Sequence, residues 1–308
     1  MPAEGIEHRP RSEVLSHEEI VEVCRAFARW GVERVRLTGG EPTVRRGIVE
    51  LVAALSRIEA ASGRRLEVVM TTNGERLAAL APKLAEAGLR QLTISVDSLD
   101  PARFRQITRR GDLGRVLAGI DAARAVGLAA KMNTVAIRGF NDDELATIVR
   151  FAWGRGLVPR FIELMPMSAG ALFVPGELMP AAAIRDELAA ALDGAVVADD
   201  GADARGLGPA TYWRIASGPW AGRRFGVIAA MTENFCATCN RLRLSATGQL
   251  HACLARDESG DLRRAVRSDD PGALEAAVRR VLGRKEDGHR FTLDGGGGPQ
   301  KAMISIGG

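Results

Sequence analysis

The feature that most limits the fold is an alternation of short apolar strands and amphipathic helices over the first half of the chain. The pattern predicts strands at 34–37, 66–71, 91–96, 130–135 and 160–164, with helices at about 16–30, 48–60, 77–87, 101–107, 113–126 and 142–153. Strands that follow one another through helices pair in parallel, because a parallel crossover needs such a connection. The sequence therefore predicts an α/β protein built on a parallel sheet.

The ends of these strands distinguish between the two common parallel architectures. No G-x-G-x-x-G motif follows the first strand, which argues against a dinucleotide-binding sheet. Polar residues instead follow several strands, at 38–41, 71–74, 95–97 and 163–165. A barrel gathers its active site from the carboxyl ends of many strands. Since the alternation gives five or six units, we expect an incomplete (β/α)6-type TIM barrel over residues 1–166.

The second half of the chain, residues 167–308, does not continue the alternation. The pattern predicts a loop at 167–180, a helix at 181–192, a polar turn region at 196–208, strands at 212–215, 224–229 and 242–244, and a helix at 273–282. A glycine-rich tail ends in Gly307 and Gly308. We expect a smaller C-terminal α+β region that could close the open side of the barrel.

Three cysteines in this second region have the spacing of metal ligands. Cys236 and Cys239 form a C-x-x-C pair, Cys253 follows, and Arg241-Leu242-Arg243 lies between them. Three thiolates beside fixed positive charge suggest a metal or cluster that also receives an anionic ligand. Structural zinc would need a fourth ligand, for which His251 is the nearest candidate. On spacing alone, zinc and an iron–sulfur cluster remain equally good interpretations.

Composition limits the partners and the compartment. Hydrophobic residues make up 46% and charged residues 26%, and no stretch approaches the ~18 apolar residues of a membrane span. The first sixteen residues lack the apolar core of a secretory signal, so the cytoplasm is expected. The net charge of +4 is spread along the chain, which favours a small anionic substrate over nucleic acid. Cys24 lies on an apolar helical face and is predicted to be core.

Basic residues on the predicted strands give a weaker signal. Arg34 and Arg36 alternate on one strand and share a face, as do Lys131 and Asn133 on another. Lys131 is one of four lysines in a chain whose usual cation is arginine. If these faces line the barrel they form an anion site, and if they lie on the surface they carry no functional meaning. The polar strand ends are likewise open to explanation as tight turns or helix caps.

Taken together, these segments resemble the MoaA family, the GTP 3′,8-cyclases of molybdenum cofactor biosynthesis, which are radical S-adenosylmethionine enzymes. The resemblance covers essentially the whole chain. It is carried by VRLTGGEPTVRR (35–46), TTNGERL (71–77), ISVDSLD (94–100), KMNTVAIRGFND (131–142), RFIELMPM (160–167), FCATCNRLRLSATGQLHACL (235–254) and the terminal ISIGG.

The resemblance implies a lyase that converts GTP to (8S)-3′,8-cyclo-7,8-dihydroguanosine 5′-triphosphate. A 5′-deoxyadenosyl radical takes hydrogen from C3′ of GTP, and C3′ then attacks C8 of guanine. A partial barrel with two [4Fe–4S] clusters is implied, one reducing S-adenosylmethionine and the other contacting guanine through an open iron. The product would pass to cyclic pyranopterin monophosphate synthase. The resemblance also implies a homodimer, while the electron donor is not indicated.

Residue roles follow from the same resemblance, position by position. The implied ligands of the second cluster are Cys236, Cys239 and Cys253. The implied GTP-binding residues are Arg34, Arg36, Thr71, Lys131, Arg241, Leu242 and Arg243. The implied S-adenosylmethionine-binding residues are Gly40, Ser95 and Met165, and Gly307 and Gly308 match the tail that enters the active site.

One departure concerns the radical-generating cluster. The family carries C-x-x-x-C-x-x-C just ahead of a Met-Pro pair, and this sequence opens at Met1-Pro2. As written, the chain is therefore expected not to make the radical by itself, and a misassigned start would explain this. An in-frame cysteine motif upstream of Met1 would support the enzyme. The alternatives are a non-catalytic GTP-binding iron–sulfur paralogue and a zinc-stabilised barrel of unknown substrate.

Overall fold

A computed structural model describes residues 9–171, 173–201 and 208–306, and one mixed sheet forms its centre. The strands of this sheet are β1 (Arg34–Leu37), β2 (Glu67–Thr72), β3 (Gln91–Ser95), β4 (Ala129–Ala136), β5 (Val158–Glu163), β6 (Val196–Ala198), β7 (Thr211–Ile215) and β8 (Arg224–Ile228). Their order is β1-β2-β3-β4-β5-β8-β7-β6. Strands β1 to β5 and β8 are parallel, whereas β7 and β6 each run antiparallel to the preceding strand.

All but one of the described helices fall where the apolar periodicity predicts them; the short helix Leu262–Val266 was not predicted, and the helix predicted at 48–60 ends at Ser56. The helices are α1 (His17–Arg29), α2 (Ile48–Ser56), α3 (Leu77–Glu86), α4 (Pro101–Thr108), α5 (Leu113–Ala125), α6 (Leu145–Gly154), α7 (Ala181–Leu192), α8 (Leu262–Val266) and α9 (Ala273–Leu282). Local chemistry sets several starts: Ser16 and Glu19 close a capping box on α1, and Asp100 caps α4 just before Pro101. Apolar faces of α2 to α7 pack on the sheet as one core.

Six neighbouring parallel strands confirm the predicted fold class, a partial barrel of the TIM type. The sixth of them, β8, comes from the second half of the chain, so the sheet continues across the predicted boundary at residue 167. The prediction of a polar turn from residue 196 is wrong at its start. There Val196–Ala198 forms β6, because β7 supplies a hydrogen-bonding partner and Val196 and Val197 suit a strand.

A smaller sheet carries the cysteine segment. It is antiparallel and comprises β9 (Arg243–Leu244), β10 (Gln249–His251) and β11 (Gly260–Asp261). With α8 and α9 it encloses a second apolar cluster that includes Val23 of α1 and Leu250 of β10. The cysteine segment is thereby fixed to both halves of the chain. Among the described residues, no helix is long and apolar enough to cross a membrane.

Candidate functional site

One row of side chains runs across five strands of the large sheet. Ser95 pairs with Asn133, Asn133 with Arg160, Arg160 with Gly226, and Gly226 with Tyr212. Residues paired across neighbouring strands project from the same face of a sheet. The row therefore places an amide, a guanidinium and a phenol at one level of the barrel interior.

Two arginines meet at one threonine in this interior. Arg36 Nη1 donates to Thr71 Oγ1 at 3.0 Å and to Thr93 Oγ1 at 3.1 Å. Arg160 Nη2 donates to the same Thr93 Oγ1 at 3.2 Å, and its Nε donates to Asn133 Oδ1 at 2.9 Å. All these acceptors are neutral, so the two positive charges are oriented without being neutralised. The arrangement suits an incoming anion.

Burial and neighbouring positive charges both act on the guanidinium of Arg36. The protein around Arg36, together with the charges of Arg160 and Arg34, lowers the pKa of Arg36 to about 10, although its side chain reaches solvent in the open interior. Arg36 therefore remains charged at neutral pH. Burial also lowers the pKa of Arg160, whose side chain is 6% exposed. A bound anion would relieve both effects.

Lys131 adds a third cation to this group, and the ring of Tyr212 faces it. Lys131 Nζ lies 5.8 Å from the centroid of the Tyr212 ring, and Arg224 Cζ lies 4.7 Å from the same centroid. Burial lowers the pKa of Lys131, while the interaction with Tyr212 opposes that shift. Gly226 makes room for the group, because a Cβ there would lie 3.0 Å from Arg160 Cγ and 3.1 Å from Tyr212 Cε1.

Arg34 differs from the other predicted GTP-binding cations. Its guanidinium bonds the carboxylate of Glu67 on the neighbouring strand, with Nη2 and Nε at 2.6 and 2.7 Å from Oε2. Much of its charge is therefore offset within the protein. Arg160 and Tyr212, by contrast, belong to the site but were missed from the sequence. Two signals could have found them, because Arg160 opens the segment RFIELMPM and Tyr212 is the only tyrosine in the sequence.

The cysteine segment is surrounded by cations. Arg241 Nε and Nη2 each lie 3.4 Å from Cys239 Sγ, and Lys285 Nζ donates to the carbonyls of Cys239 at 2.9 Å and Arg241 at 3.3 Å. Burial raises the pKa of Cys239, but hydrogen bonds and charge from Arg241 outweigh it and leave that pKa below its ordinary value. This environment favours the thiolate, the form that binds metals.

Arg243 is influenced by two of the three thiols. Burial and Arg241 lower the pKa of Arg243 to about 10, and interactions with Cys239 and Cys253 act in the opposite direction. Both cysteines, like Cys236, are free of disulfides. Arg241 thus lies beside Cys239, and Arg243 is within electrostatic reach of both Cys239 and Cys253. Leu242, between the two arginines, packs on the second apolar cluster.

The three cysteines offer thiolate donors, and His251 is a further candidate donor. His251 Nδ1 lies 3.0 Å from Lys301 Nζ and 3.2 Å from the carbonyl of Glu258, which leaves Nε2 as the nitrogen that could bind a metal. Within the described ranges, no three side chains of His, Cys, Asp or Glu stand together as a metal-holding group. The assignment of the three cysteines as ligands therefore stays a prediction from donor chemistry.

The predicted S-adenosylmethionine residues follow three parallel strands at the same end of the barrel. Gly40 lies after β1, Ser95 ends β3, and Met165 follows β5. The loop at Gly40 is held by Glu41, whose carboxylate accepts from Thr72 Oγ1 at 2.8 Å and from the backbone N–H of Asn73 at 2.7 Å. Gly307 and Gly308 lie outside the described residues.

Two family profiles and several curated relatives match this chain. The Radical SAM superfamily profile matches residues 3–152, and the profile named Molybdenum Cofactor Synthesis C matches residues 158–291. A GTP 3′,8-cyclase from Rhodopseudomonas palustris is 43% identical over 95% of this chain and 83% of its own length. One from Bradyrhizobium diazoefficiens is 42% identical over the same shares. A solved radical SAM methyltransferase from Sphaerobacter thermophilus covers 57% of this chain and 55% of its own, with 20% identity and a TM-score of 0.44.

Proposed function

Because the chain belongs to the GTP 3′,8-cyclase family of the radical SAM superfamily, we propose that it binds GTP inside the partial barrel. The reaction converts GTP to (8S)-3′,8-cyclo-7,8-dihydroguanosine 5′-triphosphate, the first step of molybdenum cofactor biosynthesis. The observation that carries the proposal is the meeting of Arg36 and Arg160 on neutral partners. Such cations are arranged for an anionic substrate.

The triphosphate is assigned to the cations of the barrel interior. Arg36, Arg160 and Lys131 offer charged donors from β1, β5 and β4, and Thr71 fixes one of them by its hydroxyl. Charge-assisted bonds to phosphate are among the strongest that a protein makes. Arg241 and Arg243 would hold the end of the substrate that lies beside the cysteines. Arg34, which is paired with Glu67, would act at longer range.

Cofactor binding follows from the superfamily and from the donor set. Cys236, Cys239 and Cys253 would hold a [4Fe–4S] cluster, which supplies an iron with an open position for guanine. Gly40, Ser95 and Met165 would receive S-adenosylmethionine, and the Gly307-Gly308 tail would enter the site. The free cysteines suit a reducing compartment, and we place the protein in the cytoplasm. Its product would be the substrate of cyclic pyranopterin monophosphate synthase.

GTP binding to the anaerobically reconstituted protein tests the substrate assignment by isothermal titration calorimetry. Lys131→Met should weaken binding by roughly tenfold or more, since a charged hydrogen bond contributes about 1.5–3 kcal/mol. Lys83→Met changes an exposed lysine on α3 and is the matched control. Equal affinities of the two variants would contradict the placement of GTP in the barrel interior.

Metal content tests the cluster separately. Arg243→Ala should weaken GTP binding while iron and acid-labile sulfide per chain stay at the wild-type value. Stoichiometric zinc without sulfide would rule out the iron–sulfur assignment. Cys253→Ser should lower iron and sulfide, whereas Cys24→Ser, at a buried position on α1, should leave both unchanged.

A further inference from the structure

The C-terminal tail lies between two loops that belong to different parts of the site. The tail segment is defined here as residues 295–301. On one side it meets the loop after β5, where the N–H of Ala169 donates to the carbonyl of Pro299 at 2.8 Å and that of Ser168 to the carbonyl of Lys301 at 3.3 Å. This loop begins next to Met165, one of the predicted S-adenosylmethionine residues.

On its other side the tail segment meets the loop after β10. The Asp257 carboxylate accepts from the backbone N–H of Gln300 at 2.9 Å and from that of Lys301 at 3.3 Å. Lys301 Nζ donates to His251 Nδ1 at 3.0 Å and to the carbonyl of Arg256. His251 and Asp257 flank Cys253 in sequence. Lys301 is thus held through both its backbone and its side chain, and Gln300 is held through its backbone.

The tail segment packs closely against the loop after β5. A Cβ at Gly298 would collide with the carbonyl of Pro166, so the two backbones touch where glycine alone leaves room. Ser168 and Ala169 both have φ of 55°, a conformation that costs free energy for residues with a side chain. Such strain persists where surrounding contacts hold it, and the bonds to Pro299 and Lys301 are contacts of that kind.

We propose that Asp257 and Lys301 form a latch that fixes the C-terminal tail between the loop after β5 and the loop after β10. The latch holds the segment around Lys301 against the loop that follows Cys253. Its effect on turnover rests on the proposed function, whereas its effect on the tail does not. Asp257 and Lys301 are therefore positioning residues.

Limited proteolysis with endoproteinase Lys-C tests the latch, because cleavage after Lys301 releases the peptide 302–308. Cleavage of a native protein reports how often the segment opens. Asp257→Asn replaces one acceptor oxygen by an amide that cannot accept, so release of the peptide should be about tenfold faster than in the wild type. Cleavage at the exposed Lys83 is the internal reference and should not change. Asp269→Asn, at an exposed position, is the matched control.

Two results would overturn the proposal: release of the peptide at the same rate in Asp257→Asn and wild type, or a parallel increase at Lys83, which would indicate general destabilisation. In a turnover assay of the anaerobically reconstituted protein, Asp257→Asn should lower kcat and leave the Kd for GTP and the iron content unchanged, whereas Asp257→Glu should retain most of kcat. Loss of GTP binding in the wild type would refute the proposed function and leave the proteolysis result standing.

Discussion

Glu163 offers the sharpest test of how the two halves of the chain are joined. Its side chain is fully buried at the end of β5, and its carboxylate accepts four hydrogen bonds. Oε1 accepts from the N–H of Ala181 at 2.8 Å and from the Thr232 hydroxyl, and Oε2 from the N–H of Met231 at 2.6 Å and of Thr232 at 3.0 Å. One carboxylate thereby fixes the start of α7 and the chain leading to the cysteines.

Glu163→Gln keeps the shape and replaces one oxygen by an amide nitrogen. The amide should turn its nitrogen toward Thr232 Oγ1, since a hydroxyl can rotate and accept, and this leaves the N–H of Ala181 without its carboxylate acceptor. Losing one charged hydrogen bond, so that the N–H of Ala181 keeps only its longer contact to Thr232 Oγ1 at 3.4 Å, costs about 2–4 kcal/mol. With about 2.1 cal/mol/K of unfolding entropy per residue over 308 residues, that corresponds to a Tm lower by roughly 3–6 °C.

Differential scanning calorimetry of the cluster-free protein measures this shift. Glu187→Gln makes the same chemical change on the exposed face of α7 and should move Tm by less than about 1 °C. If Glu163→Gln and Glu187→Gln have the same Tm, the buried carboxylate does not join the two halves, and the reasoning is refuted.

Three further predictions concern the barrel interior. Gly226→Ala should destabilise the protein by about 1–3 kcal/mol and weaken GTP binding, because the new methyl group meets Arg160 and Tyr212. Gly154→Ala is the control, since a Cβ there meets nothing within 4 Å, and equal urea midpoints for the two variants would contradict the close packing at Gly226. GTP affinity should fall as pH rises from 8 to 10. The pKa of Lys131 is lowered and that of Arg36 is about 10, so both side chains lose their charge at a lower pH than an ordinary lysine or arginine. Calorimetry measures the Kd for GTP across that range, and a Kd that does not change with pH would contradict the prediction. Tyr212→Phe should move this fall to lower pH, because Tyr212 raises the pKa of Lys131, and an unchanged midpoint would show that the phenol does not act on the lysine.

Much of the barrel follows from local sequence. The start of α1 depends on the Ser16–Glu19 capping box, and α4 starts at Asp100-Pro101, so these starts are encoded within four residues. The first five strands likewise follow from short apolar runs and lie within two residues of their predicted positions. What periodicity could not provide is the partner of each later strand. The pairing of β8 with β5 joins residues that lie far apart in the chain, so it depends on how the whole core packs and not on local sequence.

Only the part of the site that lies within one short segment of sequence could be predicted. The cysteines and the Arg241–Arg243 segment have a recognisable spacing, whereas Arg160 is one arginine among many, and its role depends on the register that places it opposite Asn133. Lysine rarity was a usable signal that was applied to Lys131 alone. Of the four lysines, Lys285 and Lys301 also lie at the site, bonded to the Cys239 carbonyl and to His251.

Arg34 differs from Arg36 and Arg160 in the charge of its hydrogen-bond partner. Arg34 has a carboxylate partner, Glu67, at 2.6 Å, and the pair is half-buried. Arg36 and Arg160 have hydroxyl and amide partners, which orient a guanidinium without cancelling its charge. A carboxylate at Thr93 would stabilise the empty barrel and compete with a triphosphate for both arginines. The neutral threonine leaves like charges close together, so an anion placed as proposed would offset the repulsion between the two arginines.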